Sequence, residues 1–484
     1  MASEFVRWIC VDTQGKAHEV TPAGYAESPV FTRSGAAGAL LRQFVSNELG
    51  GRGETVADPE GPHMPAHVRF MRAHELVDYC DVSEKGHLKW YPKGLLIRQL
   101  LMDEARRLAH DWGALEMANP VLIKADSNAV GELMAEFRER DYRVDGGRGT
   151  CWLRYASDPL AFPFMQKVRF GLRQAPLKVY EEASCFRNEQ EGEVGGLRRV
   201  RNFSMTDMHA ACATEGQAHE EFEWLTRRFA ALMRALIARD RWVLGWEGTV
   251  DFYEANRDWL LGLGRDLEVP AFFKLMDRMS HYYAMKNEFQ SITADGANVQ
   301  ISTVQWDVKD GARFQICYRD ASGSKVPCPV ILHASSFGSV ERSLCALLEN
   351  AAVDEAAGIA PALPYWLSPV QLRILPVSAS HLEACLRLAE RVSAFPARCD
   401  VDDREETVGR RIRDAERDWI PFLVVAGERE GADGPFSVRM RREGGSRTLS
   451  LAELRALLQG GQDGLPYRVL PTRMRVSENP VFHG

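Results

Sequence analysis

The stretch that most constrains this chain is residues 177–212, LKVYEEASCFRNEQEGEVGGLRRVRNFSMTDMHAAC. It opens on a strand-like run at 177–180. A Phe-Arg-x-Glu unit follows, Phe186-Arg187-Asn188-Glu189, then a loop rich in Gly and Glu. A basic patch, Arg198, Arg199 and Arg201, leads to Phe203 and to the polar pair Asp207 and His209. An arginine beside an acid on one strand, a glycine loop and a returning strand with an aromatic ring can build a nucleotide-sized pocket. The planar fork of Arg187 suits a phosphate, and Phe203 offers a flat face to a base. Charge spacing alone is equally compatible with a surface hairpin whose charges are solvated.

The length, 484 residues, suggests two to four domains, and 45% hydrophobic with 26% charged residues is an ordinary globular balance. A net charge of −7 argues against a basic nucleic-acid coat, although a local basic face is enough for RNA. Ten cysteines without a CxxC pair point to reduced thiols in a cytosolic enzyme rather than a disulfide framework. The N-terminus lacks a basic region followed by an apolar core, so no signal peptide is expected. No apolar run reaches the ~18 residues that a membrane span needs. A cytoplasmic location is the expectation.

Along the chain, residues 5–11 read as one strand, 35–49 have helical apolar spacing, and 48–65 read as a linker. His63-x-x-x-His67 has the spacing of two metal ligands on one helix face, but Pro62 and Pro65 oppose a helix. Residues 95–112 predict a helix, and 114–123 an extended strand interrupted by Pro120, which suits an edge or a bulge and a two-fold dimer face. Residues 153–158 predict a short strand, 217–237 a helix, and 304–308 and 314–318 half-buried strands. Residues 330–333 predict a buried strand, 335–339 a break, 340–350 a helix and 351–369 a linker. Beyond it, strands at 370–377, 398–402, 422–426 and 436–441 alternate with helices at 381–395, 407–417 and 451–459, a small α/β domain with a mixed sheet.

Three elements stand in order: the helix with its proline-containing strand, the Phe-Arg-x-Glu strand with its returning Phe203, and Gly338-Ser339-Val340-Glu341-Arg342 at a strand-to-helix turn. This order resembles the three motifs of class II aminoacyl-tRNA synthetases. The finer match is to threonyl-tRNA synthetases: GLRRVRNFSMTDMHAAC and ILHASSFGSVER resemble that family's second and third motifs, and GHLKWYPKG and VQWDV other family segments. WLSPVQLRILPVS, DDREETVGRRIRDAERDWIPFLVVAGERE and FSVRMRR are similar to the anticodon-binding domain of class IIa synthetases. The resemblance covers roughly residues 62–442. It implies an α+β catalytic domain on an antiparallel sheet (the class II synthetase fold) at 62–355, a C-terminal α/β anticodon-binding domain at 365–484, and a short N-terminal extension at 1–61.

The resemblance also implies roles. Arg187 is expected on the α-phosphate and Arg342 on the γ-phosphate of a bent ATP, with Mg²⁺ on the β- and γ-phosphates. Glu189 is expected at the adenine amino group, Phe203 stacked on adenine, Gln305 near the adenylate, and Asp207 facing the substrate hydroxyl or amino group. Such chemistry needs positioning and charge neutralisation more than covalent help. The family separates threonine from isosteric valine, which an apolar pocket rejects poorly, with a zinc ion on one Cys and two His. His209 and His333 match the histidines, and the Cys position falls at Asp158, a harder, less donating oxygen ligand. Arg404, Glu430 and Arg439 match positions that read anticodon bases; Glu405 replaces an Asn of some relatives.

Too few residues precede the catalytic region for an editing domain of the family's known types, and His63/His67 lacks the CxxxH companion of the editing motif. The expectation is a threonine–tRNA ligase, a homodimer acting on threonine and tRNA(Thr), without its own editing of Ser-tRNA and with a separate trans-editing protein as a possible partner. Two alternatives stay open: a paralogue activating another β-hydroxy amino acid, motivated by Asp158, and a non-catalytic tRNA-binding relative.

Overall fold

The computed structural model describes residues 5–33, 35–50, 64–124, 128–135, 140–146, 149–190, 192–237, 241–428 and 434–482. The chain divides into two compact units: Met1–Pro65 with Ala105–Ala346, and Ala66–Glu104 with Leu347–Gly484.

The first unit is built on a ten-stranded sheet in the order Ala17–Val20, Phe5–Val11, Ala271–Met276, Trp242–Thr249, Tyr283–Ile292, Asn298–Asp307, Val330–Ser339, Asn202–Cys212, Leu177–Phe186, Leu115–Glu116. Pairing is antiparallel except between Trp242–Thr249 and Ala271–Met276 and between Leu115–Glu116 and Leu177–Phe186. The helix Glu215–Leu236 lies against the two central strands Asn298–Asp307 and Val330–Ser339. Its buried Phe222, Leu225, Phe229, Leu232 and Leu236 recur at helical spacing, and the Thr214 side chain caps it by accepting from Gln217 N.

The N-terminal segment differs from the extension expected of it. Phe5–Val11 pairs with Ala271–Met276, and the helix Gly35–Leu49 buries Leu41, Phe44 and Val45 against Cys10, Val243 and Phe272. Those apolar side chains can be buried only on the main core, so residues 5–49 complete the first unit.

Five further expectations are corrected. The strand around Pro120 is split: Leu115–Glu116 joins the large sheet, whereas Leu122–Ile123 pairs with Gly149–Leu153 in a small one. A proline without an N–H cannot carry a ladder through. The strand expected at 153–158 ends at Leu153, and Asp158 begins the helix Asp158–Lys167, because Pro159 fits the first turn of a helix. The break expected at 335–339 is a bulge inside the strand Val330–Ser339, where Ser335 to Ser339 stands opposite Asp207 to Met205 with a shift in register and Gly338 takes a left-handed φ of +58°. Of residues 314–318 only the last two enter a strand, Cys317–Arg319, since Gln315 takes φ +54°. The helix starting at Val340 runs to Ala356, into the expected linker.

In the second unit a five-stranded mixed sheet has the order Cys399–Val401, Leu372–Pro376, Phe422–Ala426, Phe436–Met440, Ser446–Leu449. The first three strands are parallel and the last two antiparallel. The last strand was not expected from the sequence. Helices Leu382–Ser393 and Leu451–Gly460 supply Leu388, Val392, Leu454 and Leu458 to its core. His67, in the helix Ala66–Ala73, is buried and its Nδ1 lies 2.6 Å from Glu349 Oε1. That makes it a buried histidine with a carboxylate partner; the other half of the expected pair, His63, lies outside the described residues.

Candidate active site

Register decides which side chains meet. In Asn202–Cys212, residues 203, 205, 207 and 209 share one face because strand side chains alternate. Asp207 stands opposite Ser335 and His209 opposite His333. On the far side of Val330–Ser339, Gln305 stands opposite the same His333. His209, His333 and Gln305 therefore form one row across three adjacent strands. Beside it lies a cavity of about 1010 Å³, counting its open mouth, whose lining includes Arg187, Glu189, Phe203, Asp207, Gln305 and Arg342.

At one end is an arginine-rich wall. Arg187 holds its guanidinium 5.1 Å from the centre of the Phe203 ring and donates from Nε to Tyr155 O. Glu189 is buried, with Arg199 at 2.9 Å and Arg140 at 3.2 Å from its Oε2. Arg342, in the first turn of Val340–Ala356, donates from Nε to Arg198 O. The adjoining Glu341 carboxylate accepts from Ser204 N at 3.0 Å, which fixes the helix start to the return strand. The result is a concave surface with several planar cations, suited to a polyphosphate.

At the other end Asp158, His209 and His333 converge. Asp158 Oδ1 lies 2.9 Å from His209 Nε2 and 3.4 Å from His333 Nδ1. The remaining nitrogen of His333, Nε2, lies 2.9 Å from Asp307 Oδ2, and Asp307 Oδ1 accepts from the amides of Lys309 and Asp310. Burial alone would push Asp158 up, but the two imidazoles hold its carboxyl well below the usual range. Burial likewise opposes a charge on His333, and its two carboxylate partners overcome it and raise it well above the ordinary value. Asp207 is pushed up, chiefly by burial, and its Oδ2 accepts a short hydrogen bond from Ser157 Oγ.

The donor atoms of Asp158, His209 and His333 all lie within 4.8 Å of one another. A tetrahedral ion with ~2.1 Å bonds holds its ligands about 3.4 Å apart, so this set fits a divalent metal. Asp307 fits the partner that orients a metal-bound imidazole through its other nitrogen.

The expected site residues thus fall into two groups. Arg187, Glu189, Phe203, Asp207, Gln305, Arg342, Asp158 and His333 line the one cavity, with His209 directly behind Asp158. Arg404 and Arg439 belong to the second unit. Arg404 is half-buried and held by Asp402 and Asp414, while Arg439 is exposed beside Glu416. Glu430 lies outside the described residues. Sequence reading missed Asp307, Ser157 and Tyr282. Asp307 was recoverable, because it sits two residues from Gln305 and so on the same strand face. Tyr282, which stacks on His333 at 4.9 Å and donates to Gln305 Oε1, carried no local signal.

Residues 163–351 match the family described as the tRNA synthetase class II core domain (G, H, P, S and T), and residues 371–460 match the anticodon binding domain. Among solved structures, the fold is similar to the RNA binding domain of threonyl-tRNA synthetase from Cryptosporidium parvum Iowa II, with TM-score 0.70, 23% identity, and 83% of this chain and 98% of that one covered. Giardia lamblia prolyl-tRNA synthetase is similar with TM-score 0.64, 18% identity, and 81% and 75% covered. The curated threonine–tRNA ligase of Methanobrevibacter smithii is 37% identical over 91% of this chain and 71% of its own length. That of Methanothrix thermoacetophila is 38% identical over 87% and 68%. With this identity over most of both chains, and the class II core and anticodon-binding modules in order, the chain belongs to the threonine–tRNA ligase family of class II aminoacyl-tRNA synthetases.

Proposed function

We propose that this chain activates threonine with ATP to threonyl-adenylate and transfers it to tRNA(Thr). One observation carries the reading: a single cavity joins the arginine-rich wall of Arg187 and Arg342 to the polar end formed by Asp207, Gln305 and the Asp158–His209–His333 cluster. In-line attack of a carboxylate on an α-phosphate needs those two ends within one substrate's length. Arg187 holds the α-phosphate and Arg342 the γ-phosphate of ATP, whose β- and γ-phosphates carry Mg²⁺. Glu189, paired with Arg140 and Arg199, accepts from the adenine amino group, and Phe203 stacks on the ring. Asp207 and Gln305 orient the amino acid, Asp207 with one oxygen already committed to Ser157. Asp158, His209 and His333 would hold the zinc that the family uses, which would supply Lewis-acid chemistry to the substrate amino group and hydroxyl. Valine lacks that hydroxyl and is rejected.

The catalytic domain spans residues 62–355 together with the N-terminal strands, and the anticodon-binding domain spans 365–484, where Arg404, Glu430 and Arg439 read the anticodon. The chain acts in the cytoplasm; among the described residues no helix is long and apolar enough to cross a membrane. It works as a homodimer through the edge beside Pro120, where Leu115, Val121 and Leu122 are exposed. Serine differs from threonine by one methyl, worth only ~1–3 kcal/mol of discrimination, so the chain also forms Ser-tRNA. A second reading, activation of another β-hydroxy amino acid, is favoured by Asp158 at a metal-ligand position. ATP–pyrophosphate exchange across a panel of amino acids decides. Threonine-dependent exchange supports the first reading, exchange with another amino acid alone supports the second, and no exchange removes both.

A further inference from the structure

A second cavity adjoins the first. It encloses about 1290 Å³, counting its open mouth, and the two share Arg198, Gln300 and Arg342 in their walls. Its roof is the contact between the helix Gly35–Leu49 and the turn 293–297. Gln43 Nε2 and Asn47 Nδ2 both donate to Gly296 O, at 3.1 and 2.7 Å. Arg198, which stands in both walls, is buried. It donates to Thr293 Oγ1 and Asp295 Oδ1, each at 3.3 Å, and its carbonyl oxygen accepts from Arg342 Nε. One wall is a row of alternating charge. Lys274 lies 2.7 Å from Glu48 and 3.1 Å from Glu247, and Lys286 lies 3.2 Å from Glu247 and 2.9 Å from Glu288. Such a wall is wet and has no uncompensated cation to trap an anion. An ion crosses a space of this kind because entry is favourable and no single site is strong enough to keep it. Gln290, only 6% exposed, donates from Nε2 to Glu288, while its buried Oε1 has no hydrogen-bond partner among the described residues. An orphan acceptor in a roomy polar wall calls for a donor in the space beside it, such as the water shell of an ion.

The position of this cavity matches the direction in which the leaving group must travel. In the reaction proposed above, a carboxylate oxygen of the amino acid bonds to the α-phosphorus of ATP. The bond from that phosphorus to the α,β-bridging oxygen breaks, and its electron pair departs on pyrophosphate. Entering and leaving oxygens lie roughly in line. Pyrophosphate therefore moves away from the end held by Asp207 and Gln305, toward Arg342, where the second cavity begins. We propose that the second cavity is an exit chamber for pyrophosphate, which passes Arg198 and Arg342 into it and does not return through the mouth by which ATP enters. This step rests on the ligase activity proposed above. It leaves the adenylate covered and the mouth of the first cavity free for the 3′ end of the tRNA.

The test uses the full chain and two variants that fill the chamber from different walls, Ala297→Trp from the turn and Gln43→Trp from the helix, with Ala297→Ser as the control. Rapid quench follows threonyl-adenylate in a single turnover, and pyrophosphatase coupled to a phosphate sensor follows pyrophosphate release. In both tryptophan variants adenylate formation should stay within ~2-fold of the unaltered chain, while release slows at least ~10-fold and becomes the limiting step. Because the same path serves the reverse reaction, pyrophosphate exchange should lose kcat/KM for pyrophosphate by a similar factor and keep its KM for ATP. Ala297→Ser should match the unaltered chain throughout. Near-ultraviolet circular dichroism checks folding, and either tryptophan variant carries the test if the other fails to fold. Unslowed release in a folded tryptophan variant, or a KM for ATP that rises as far as kcat/KM for pyrophosphate falls, would overturn the proposal. Adenylate formation with unslowed release removes the exit chamber and leaves the ligase. No adenylate from the unaltered chain removes both.

Discussion

Replacing Gly338 by alanine tests whether one backbone position shapes the nucleotide end of the cavity. Gly338 has φ +58°, and a Cβ placed there would lie 2.3 Å from Ile301 O and 3.3 Å from Ile301 C. An L-residue in the left-handed region costs ~1–2 kcal/mol. Contact with a backbone carbonyl in mid-sheet cannot be relieved by a rotamer change, and overpacking of this kind costs a further ~1–3 kcal/mol. The sum is about 2–5 kcal/mol. Gly113 supplies the control: it has φ +84°, and a Cβ added there would meet nothing within 4 Å, so Gly113→Ala should show the conformational cost alone, ~1–2 kcal/mol. Gly338 and Ile301 both line the cavity, so relief of the clash moves a cavity wall. Hydrogen exchange of peptides from Val330–Ser339 measures the local stability, and pyrophosphate exchange measures the KM for ATP. Gly338→Ala should lower local protection more than Gly113→Ala lowers its own, and raise the KM for ATP. Equal losses in the two variants, or an unchanged KM, would refute the steric argument.

Arg187→Lys keeps the charge and loses the fork, so pyrophosphate exchange should fall about 100-fold or more with little change in thermal stability. Glu247 is pushed up by burial, but Lys286 and Lys274 outweigh this and bring its pKa from 4.5 down to about 2, a stabilisation on the order of 3 kcal/mol. Because the folded value lies below the unfolded one, that stabilisation is complete above about pH 5 and disappears as pH falls toward 2. Glu247→Gln should therefore be less stable than the unaltered chain at pH 7 in denaturant unfolding, and the difference should close in acid. Arg404→Ala or Arg439→Ala should cost ~1–3 kcal/mol in tRNA recognition, read as a raised KM for tRNA in aminoacylation with pyrophosphate exchange unchanged.

The site was legible where its residues are close in sequence or follow strand alternation. Arg187, Glu189 and Phe203 sit on one hairpin, and Asp207 and His209 continue the same face, so period-two reading assembles them. Joining them to His333 and Arg342 took the family resemblance, because no local rule reveals a pairing between His209 and His333 over more than a hundred residues. Glycine and proline signals misled where tertiary pairing overrode them: Gly338 reads as a break and is a kink inside a strand. Pro159 reads as the end of an extended run and opens a helix that carries Asp158. The N-terminal segment was legible as a strand and a helix, with the bounds Phe5–Val11 and Gly35–Leu49. Its partner, Ala271–Met276, lies so far along the chain that nothing local could show the two belong to one sheet.

That pairing bears on how the protein tolerates trimming. The strand Ala271–Met276 reads AFFKLM, a six-residue window with one charge and no proline, the composition of a segment prone to self-association. Phe5–Val11 satisfies its outer row of backbone donors and acceptors, and the outermost strand Ala17–Val20 is short and carries the exposed charge of Glu19. A chain cut back to the segment that looks catalytic would bare a flat, greasy template for other molecules to extend. Residues 5–49 thus act as a selvage on the sheet: none of those described lines the cavity of Arg187 and Arg342, yet they keep one enzyme from becoming the seed of a precipitate.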